Sequence, residues 1–246
     1  MKKIAQRKIV YLNRILNSRS LVLLFVLCVF KVSAQFYPTK IYLQNGEVID
    51  CYAKLPKKAT QKNVVYKLDI ESKNKQKLKS DDIRTMIIES KNGKDFLFER
   101  NNIKRFYKTL GGEIKSTIPK RKTWNLALFY NEEFQIYRTA ERYKFNRKGV
   151  LVSISEGSGY NPATFWISYK RKGEDCPTYI KDESGMLFAF GENRATRKML
   201  EIYFSDQPEF AKRVSDKKYI KEKSHIDLAE EYTKYIREKN KNSQND

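Results

Sequence analysis

Histidine is almost absent from this sequence. A single imidazole, His225, stands among 246 residues, and there are only three cysteines. Only two of those cysteines, Cys51 and Cys176, lie beyond the leader described below, which leaves too few nitrogen and sulfur ligands for a zinc centre built from these alone, and histidine-based catalysis is confined to one position. Glycine (10) and proline (6) are scarce, which excludes collagen-like and low-complexity chains. Neither a Walker-type phosphate loop nor an EF-hand pattern occurs. Gly157-Ser158-Gly159 precedes a strand-like run rather than a helix, so a dinucleotide-binding reading fails on context. No cofactor is expected. Long apolar runs are missing too: residues 21–30 are continuously apolar, about half of what a bilayer-spanning helix needs.

What is present is positive charge. Lys and Arg number 50 against 29 acids, a net +21. Part of it belongs to a leader. Lys2, Lys3, Arg7, Lys8, Arg14 and Arg19 precede the apolar run, and Lys31 and Val32-Ser33-Ala34 follow it. A positive region, a short apolar region and a V-x-A ending make a secretory signal peptide over 1–34, cleaved before Gln35. Its seven basic residues take the charge from +21 to +14. The expected location is the periplasm, the outer-membrane periphery or the medium. Cys51 and Cys176 remain after cleavage. In an oxidising compartment they are either one disulfide or two separate thiols.

From about 39 to 190 the pattern is that of β-structure. Runs at 40–44 and 47–53 flank Asn45-Gly46, and runs at 84–89 and 95–99 flank Asn92-Gly93; such pairs predict hairpins closed by type I′ turns. In the second run Ile49, Cys51 and Ala53 share a face, which points Cys51 towards a core. Residues 62–68 read as a strand, 72–80 as a solvated arm or loop, and 103–108 as a run broken by Gly111-Gly112. A second β-rich group spans 123–130, 134–139, 142–145, 150–155, 164–170 and 178–180. The last fifth switches to helical period. Asn193 is placed to cap 194–204. Asp206-Gln207-Pro208-Glu209 suggests a capping box before Phe210 and Val214. Ser224 to Asp227 suggests a cap for a helix reaching about 239.

The fold class expected is α+β: mainly antiparallel β (meander, sandwich or partly closed barrel) followed by C-terminal helices. The organisation expected is a signal peptide at 1–34, β-rich subdomains at 35–122 and 123–190, a helical segment at 191–240 and a disordered tail at 241–246.

Catalytic signals are weak. Ser224, His225 and Asp227 adjoin along one helix start, where a cap and a dipole partner account for Ser224 and Asp227. Asp81-Asp82, Glu132-Glu133, Glu174-Asp175 and Glu230-Glu231 read as solvated turn residues, because neighbouring strand residues face opposite ways. The one compositional sign of a partner is basic residues interleaved with aromatics. Residues 54–79 hold nine Lys, and 100–122 hold eight Lys and Arg with Phe106 and Tyr107 among them. Lys104, Arg105, Lys108, Lys120, Arg121 and Lys122 form a candidate patch for an anionic ligand. The plainer reading is a solvated surface that keeps strand edges from pairing.

Ser33-Ala34-Gln35, the hairpin 41–49, Asp81-Asp82-Ile83 and Tyr203-Phe204-Ser205-Asp206-Gln207-Pro208-Glu209 together resemble a loose group of uncharacterised exported β-rich proteins of Gram-negative bacteria. The resemblance implies export and a β-then-helix order and brings no activity. Members carry Cys where this chain has Gln207 and Gly where it has Cys51, so no disulfide transfers from the group.

Three functional classes follow. The leading one is a non-enzymatic cell-envelope protein that binds or scaffolds an envelope protein, a glycan or an anionic lipid surface. The others are a hydrolase using carboxylates that the sequence does not pair, and a binder of anionic polymers or lipid headgroups. Export argues against nucleic acid as the partner.

Overall fold

The computed structural model describes residues 35–154, 164–184, 192–216, 219 and 224–242. The leader, Gly157-Ser158-Gly159 and residues 243–246 of the expected tail lie outside the described residues. Phe36–Asp246 forms one compact unit.

Ten strands make a single antiparallel sheet, and two hairpins branch from it. β1 (Tyr37–Leu43), β2 (Val48–Ala53), β3 (Asn63–Lys67) and β4 (Gln76–Lys79) follow one another as a meander. β5 (Ile83–Glu89) returns to the free side of β1, and β6 (Asp95–Asn101) pairs with β5. The chain then leaves the sheet for a hairpin of β7 (Arg105–Lys108) and β8 (Ile114–Thr117). It rejoins as β9 (Thr123–Tyr130) against β6 and continues into β10 (Phe134–Thr139). A second excursion, β11 (Arg142–Phe145) and β12 (Leu151–Ile154), precedes β13 (Thr164–Arg171) and β14 (Thr178–Ser184). Among the described residues, α1 (Glu192–Tyr203), α2 (Pro208–Val214) and α3 (His225–Asn242) follow the sheet. The fold is therefore α+β and mainly antiparallel, without barrel closure. The β6–β9 pairing carries the sheet across the boundary expected near residue 122.

The β4–β5 link dictates the shape of the first half. Four peptide units join Lys79 to Ile83 and reach at most ~14 Å. In a flat sheet β4 and β5 would stand four spacings apart, ~19 Å. The sheet must coil, and it does so around the 3-10 turn Ser80–Asp82, whose backbone ties β4 to β3 (Ser80 N–H to Lys62 O, 2.8 Å) and meets the end of β1 (Gln44 N–H to Asp82 O, 2.9 Å). Inside the coil lies the first core: Tyr37, Ile41, Val64, Ile83, Met86, Ile88, Phe98 and Trp124 among others. The β11–β12 hairpin covers it. Phe145 meets Tyr37 edge-on at 4.7 Å, and Tyr143 meets Phe98 at 5.0 Å.

The second core lies under the helices. Phe134, Ile136, Ile167 and Tyr169 from β10 and β13 pack against Leu200, Phe204, Phe210, Val214 and Tyr232. A bulge in β9 joins the two cores. Ile136 faces Phe129 and Tyr137 faces Ala127, leaving Leu128 as the extra residue. A bulge turns consecutive side chains to one side, and both Leu128 and Phe129 pack on the helical core.

Several local expectations need correction. The Asn-Gly turns are not type I′, since no described non-glycine residue has positive φ. Leu43 N–H bonds Glu47 O at 2.8 Å, Gly46 N–H bonds Leu43 O at 3.2 Å, and Gly46 has φ +90°. That is a three-residue loop ending in a left-handed glycine. The same backbone bonds close 90–94, 109–113 and 146–150. Gly111-Gly112 is thus a hairpin turn rather than a break, and it leads into β8, which pairs back onto β7. Of the two readings of 72–80, solvated hairpin arm or loop, the arm holds for residues 76–79, which form the exposed edge strand β4 against β3. α1 starts at Glu192, so Asn193 lies inside the helix. Gln207 rather than Asp206 stands at the start of α2, without a side-chain cap bond, because Asp206 is held by Arg171 (Nη1 to Oδ1, 2.7 Å). The cap at α3 is as expected. Asp227 N–H reaches Ser224 Oγ at 3.2 Å, and Asp227 Oδ2 accepts from Ser224 N–H at 2.7 Å, a reciprocal box.

Candidate functional site: a basic double cleft around Arg100

Alternation along β6 places Phe96, Phe98 and Arg100 on the inner face of the coil and Glu99 and Asn101 on the outer one. Phe98 is fully buried in the first core. Arg100 continues that row at the open mouth of the coil, where its side chain is only 5% exposed. Its Nε lies 2.9 Å from Asp81 Oδ1, and the guanidinium stands 5.8 Å from the centroid of Trp124, its register partner on β9. Nη1 is buried and has no hydrogen-bond partner. The neighbouring Ser80 Oγ and Trp124 Nε1 are likewise buried and unpartnered.

Two clefts meet at Arg100. One, about 530 Å³, is lined by Thr60, Lys62, Asn63, Lys79, Asp81, Arg100, Lys120, Arg121 and Lys122. Six cations there face one carboxylate. Arg121 is steered by a 2.6 Å bond from Nη2 to Thr60 Oγ1. The other cleft, about 460 Å³, shares Arg100 and Lys122 and adds Arg84, Lys170, Glu99, Asp175, Tyr130 and Cys176. Behind it lies a buried polar network on the outer face. Glu99 Oε2 accepts from Tyr137 O–H at 2.6 Å and from Asn101 Nδ2 at 3.0 Å. Asn125 Oδ1 accepts from Thr123 Oγ1 at 3.1 Å and Thr139 Oγ1 at 2.5 Å. Burial, reinforced by Glu99, pushes the Tyr137 phenol well above its ordinary range. The same causes raise Tyr130.

The six residues of the candidate anion patch do not form one surface. Lys120, Arg121 and Lys122 line the first cleft. Lys104 and Arg105 are drawn into the root of the β7–β8 hairpin, Lys104 5.1 Å from the Phe106 ring and Arg105 4.8 Å from Trp166. Lys108 is exposed further along the hairpin. Arg100, Asp81, Lys62 and Lys79 are the residues that sequence reasoning did not assign to the site. The signal for Arg100 was an arginine continuing the inward Phe96-x-Phe98 row.

Cys51 and Cys176 are both free thiols, so the bridge left open by the sequence is not formed. Six strands separate β2 from β14 in the sheet order. Cys51 is buried in the first core, and burial, with Asp50 second, pushes it up to about 12. Cys176 lines the second cleft and is also raised by burial. His225 hydrogen-bonds the Tyr169 hydroxyl through Nδ1. Burial, with Lys181 and Arg138 after it, lowers the imidazole to about 3. Of the adjacent acids, Asp81 pairs with Arg100, Glu132 and Glu133 with Lys172, and Glu174 with Arg171.

Among the described residues no group of His, Cys, Asp and Glu is placed to hold a metal ion, and no helix is long and apolar enough to cross a membrane. Comparisons with protein-family models, curated proteins and solved structures found no match.

Proposed function

We propose that this chain is an exported, non-enzymatic binding protein of the cell envelope that takes an anionic polymer, such as an acidic glycan, in the mouth around Arg100. Export rests on the leader and on the resemblance to exported Gram-negative proteins. The observation that carries the binding reading is Arg100 itself: a buried guanidinium with Nη1 unpartnered, beneath five further cations. A buried donor without an acceptor costs about 1–3 kcal/mol. An anionic oxygen entering the cleft removes that cost and adds a charge-assisted bond. A concave site lined by one sign of charge also concentrates counter-charged ligands.

The hydrolase reading draws on Glu99 and Asp175 sharing the second cleft. Glu99, however, already accepts bonds from Tyr137 and Asn101, which braces it within the sheet, so binding is the stronger reading. Titration with heparin and with polygalacturonate, followed by calorimetry at several salt concentrations, tests it. Affinity falling steeply with salt, and lost in R100M and in the K120Q/R121Q/K122Q triple variant, is the expected result. Binding indifferent to salt and to both variants overturns it.

A further inference from the structure

The β7–β8 hairpin takes no part in either core. None of its residues belongs to the buried clusters, and its strands are exposed along almost their whole length. Its side chains are nevertheless not those of a solvated loop. Leu110 at the turn is fully exposed, and Tyr107, Ile114 and Ile118 are each about half exposed. Four large apolar side chains within twelve residues are more than the scattered exposure that needs no explanation. Pairing of Phe106 with Ser116 and of Lys108 with Ile114 puts Phe106 and Ile114 on one face, next to the tip.

Bonds tie the hairpin down at its root and close it at its tip. At the root, Lys104 N–H bonds Pro177 O and Tyr179 N–H bonds Lys104 O, both at 2.8 Å, splicing the chain onto the edge of β14. Arg105 lies over both Trp166 and Tyr179. The return strand is held where Asn102 Nδ2 donates to Pro119 O at 2.6 Å. At the tip, Thr109 N–H bonds Glu113 O at 2.8 Å, and Gly112 takes φ +85°. Leu110 is therefore carried outward at the end of a hydrogen-bonded arm.

We infer that this hairpin docks the protein onto an anionic lipid surface, with Leu110 entering the headgroup–acyl boundary and Tyr107 at headgroup level. Charge complementarity selects the occupant. The hairpin and its root, residues 104–117, carry Lys104, Arg105, Lys108 and Lys115 against the single acid Glu113, and that acid is paired with Lys115 at 3.3 Å. An apolar tip within a basic collar gains from apolar burial and from the negative surface potential together. Tyrosine is at home at that depth. The inference is independent of the Arg100 cleft.

The test is co-sedimentation of the full chain, expressed with its leader and recovered in the form the cell leaves it, with vesicles of phosphatidylcholine alone or with one quarter phosphatidylglycerol. Binding to the anionic vesicles, reduced at least tenfold in L110D and unchanged in R100M, is expected. The indole of L110W is expected to shift to the blue and become shielded from iodide with anionic vesicles only. Leu110 touches no core, so both variants should fold, which circular dichroism checks. Undiminished binding by L110D, or an L110W indole that stays quenchable, overturns the inference. A fall in sedimentation coefficient on L110D without vesicle binding would assign the tip to a second copy of the chain instead, and also overturns it.

Discussion

Arg100 and Trp124 face each other across the β6–β9 pair, and the guanidinium lies 5.8 Å from the indole centroid. This places a buried charge, its aromatic platform and its only described acid partner, Asp81, at one point of the sheet. Trp124 is fully buried there, so its emission reports on whatever reaches Arg100.

Replacement of Arg100 by Met should abolish the ligand-induced change in Trp124 emission while leaving the fold intact. The Asp81 side of the pair is largely exposed, so its carboxylate stays hydrated when the guanidinium is removed, and Met keeps the apolar stem in place. Thermal melting with fluorescence titration checks this. A large loss of stability with unchanged ligand response would make Arg100 purely structural.

Tyr137→Phe leaves Glu99 and Gln135 each without the phenol that bonds them at 2.6 and 2.7 Å. A cost of about 1–3 kcal/mol is expected, measured by urea denaturation. A variant as stable as the parent would show that water replaces the hydroxyl fully.

Alkaline pH should unfold the protein early. Tyr137, Tyr143, Tyr203 and Tyr232 all titrate above their ordinary value, chiefly through burial, Tyr232 at about 12. Folded values above unfolded ones mean stability is complete below about pH 10 and falls as pH rises through the folded values. Stability flat from pH 9 to 11.5 would contradict the burial of these phenols.

His225 works in the opposite direction. Its folded value, about 3, lies below the unfolded one. Its contribution is therefore present above about pH 6.5 and is lost towards pH 3, at ~1.4 kcal/mol per pH unit. H225N should remove that part of the acid dependence, visible as a shallower fall in melting temperature between pH 6 and 4. Identical curves for parent and variant would refute it.

The thiols should differ in reach. Cys51 is buried and raised to about 12, whereas Cys176 borders a cleft. A maleimide should label Cys176 first and Cys51 only on unfolding; simultaneous labelling would argue against the core placement of Cys51.

Much of the strand order could be read from period-two runs, and the α3 cap from Ser224 and Asp227. The turn chemistry misled in one consistent way. Asn-Gly and Gly-Gly read as tight turns or breaks, whereas the loops use one residue more, with a single glycine in the left-handed region. The site was less legible because Lys62, Asp81, Arg100 and Lys122 are joined only by coiling. The clue to that was the four-unit span from Lys79 to Ile83, whose meaning depends on knowing that β5 pairs with β1.

The hairpin that caps the first core has an implication for synthesis. Strands β1 to β6 can complete their mutual pairing once residue 101 is available, since each bonds partners already made. Their apolar interior still lacks Trp124, Tyr143 and Phe145 until some forty further residues arrive. A nascent chain in that interval is a half-filled shell with a wet lining, prone to sticking to its neighbours. Residue 122, which looks like a seam in the sequence, is consequently a poor place to cut: a fragment ending there would retain its pairing and lose its solubility.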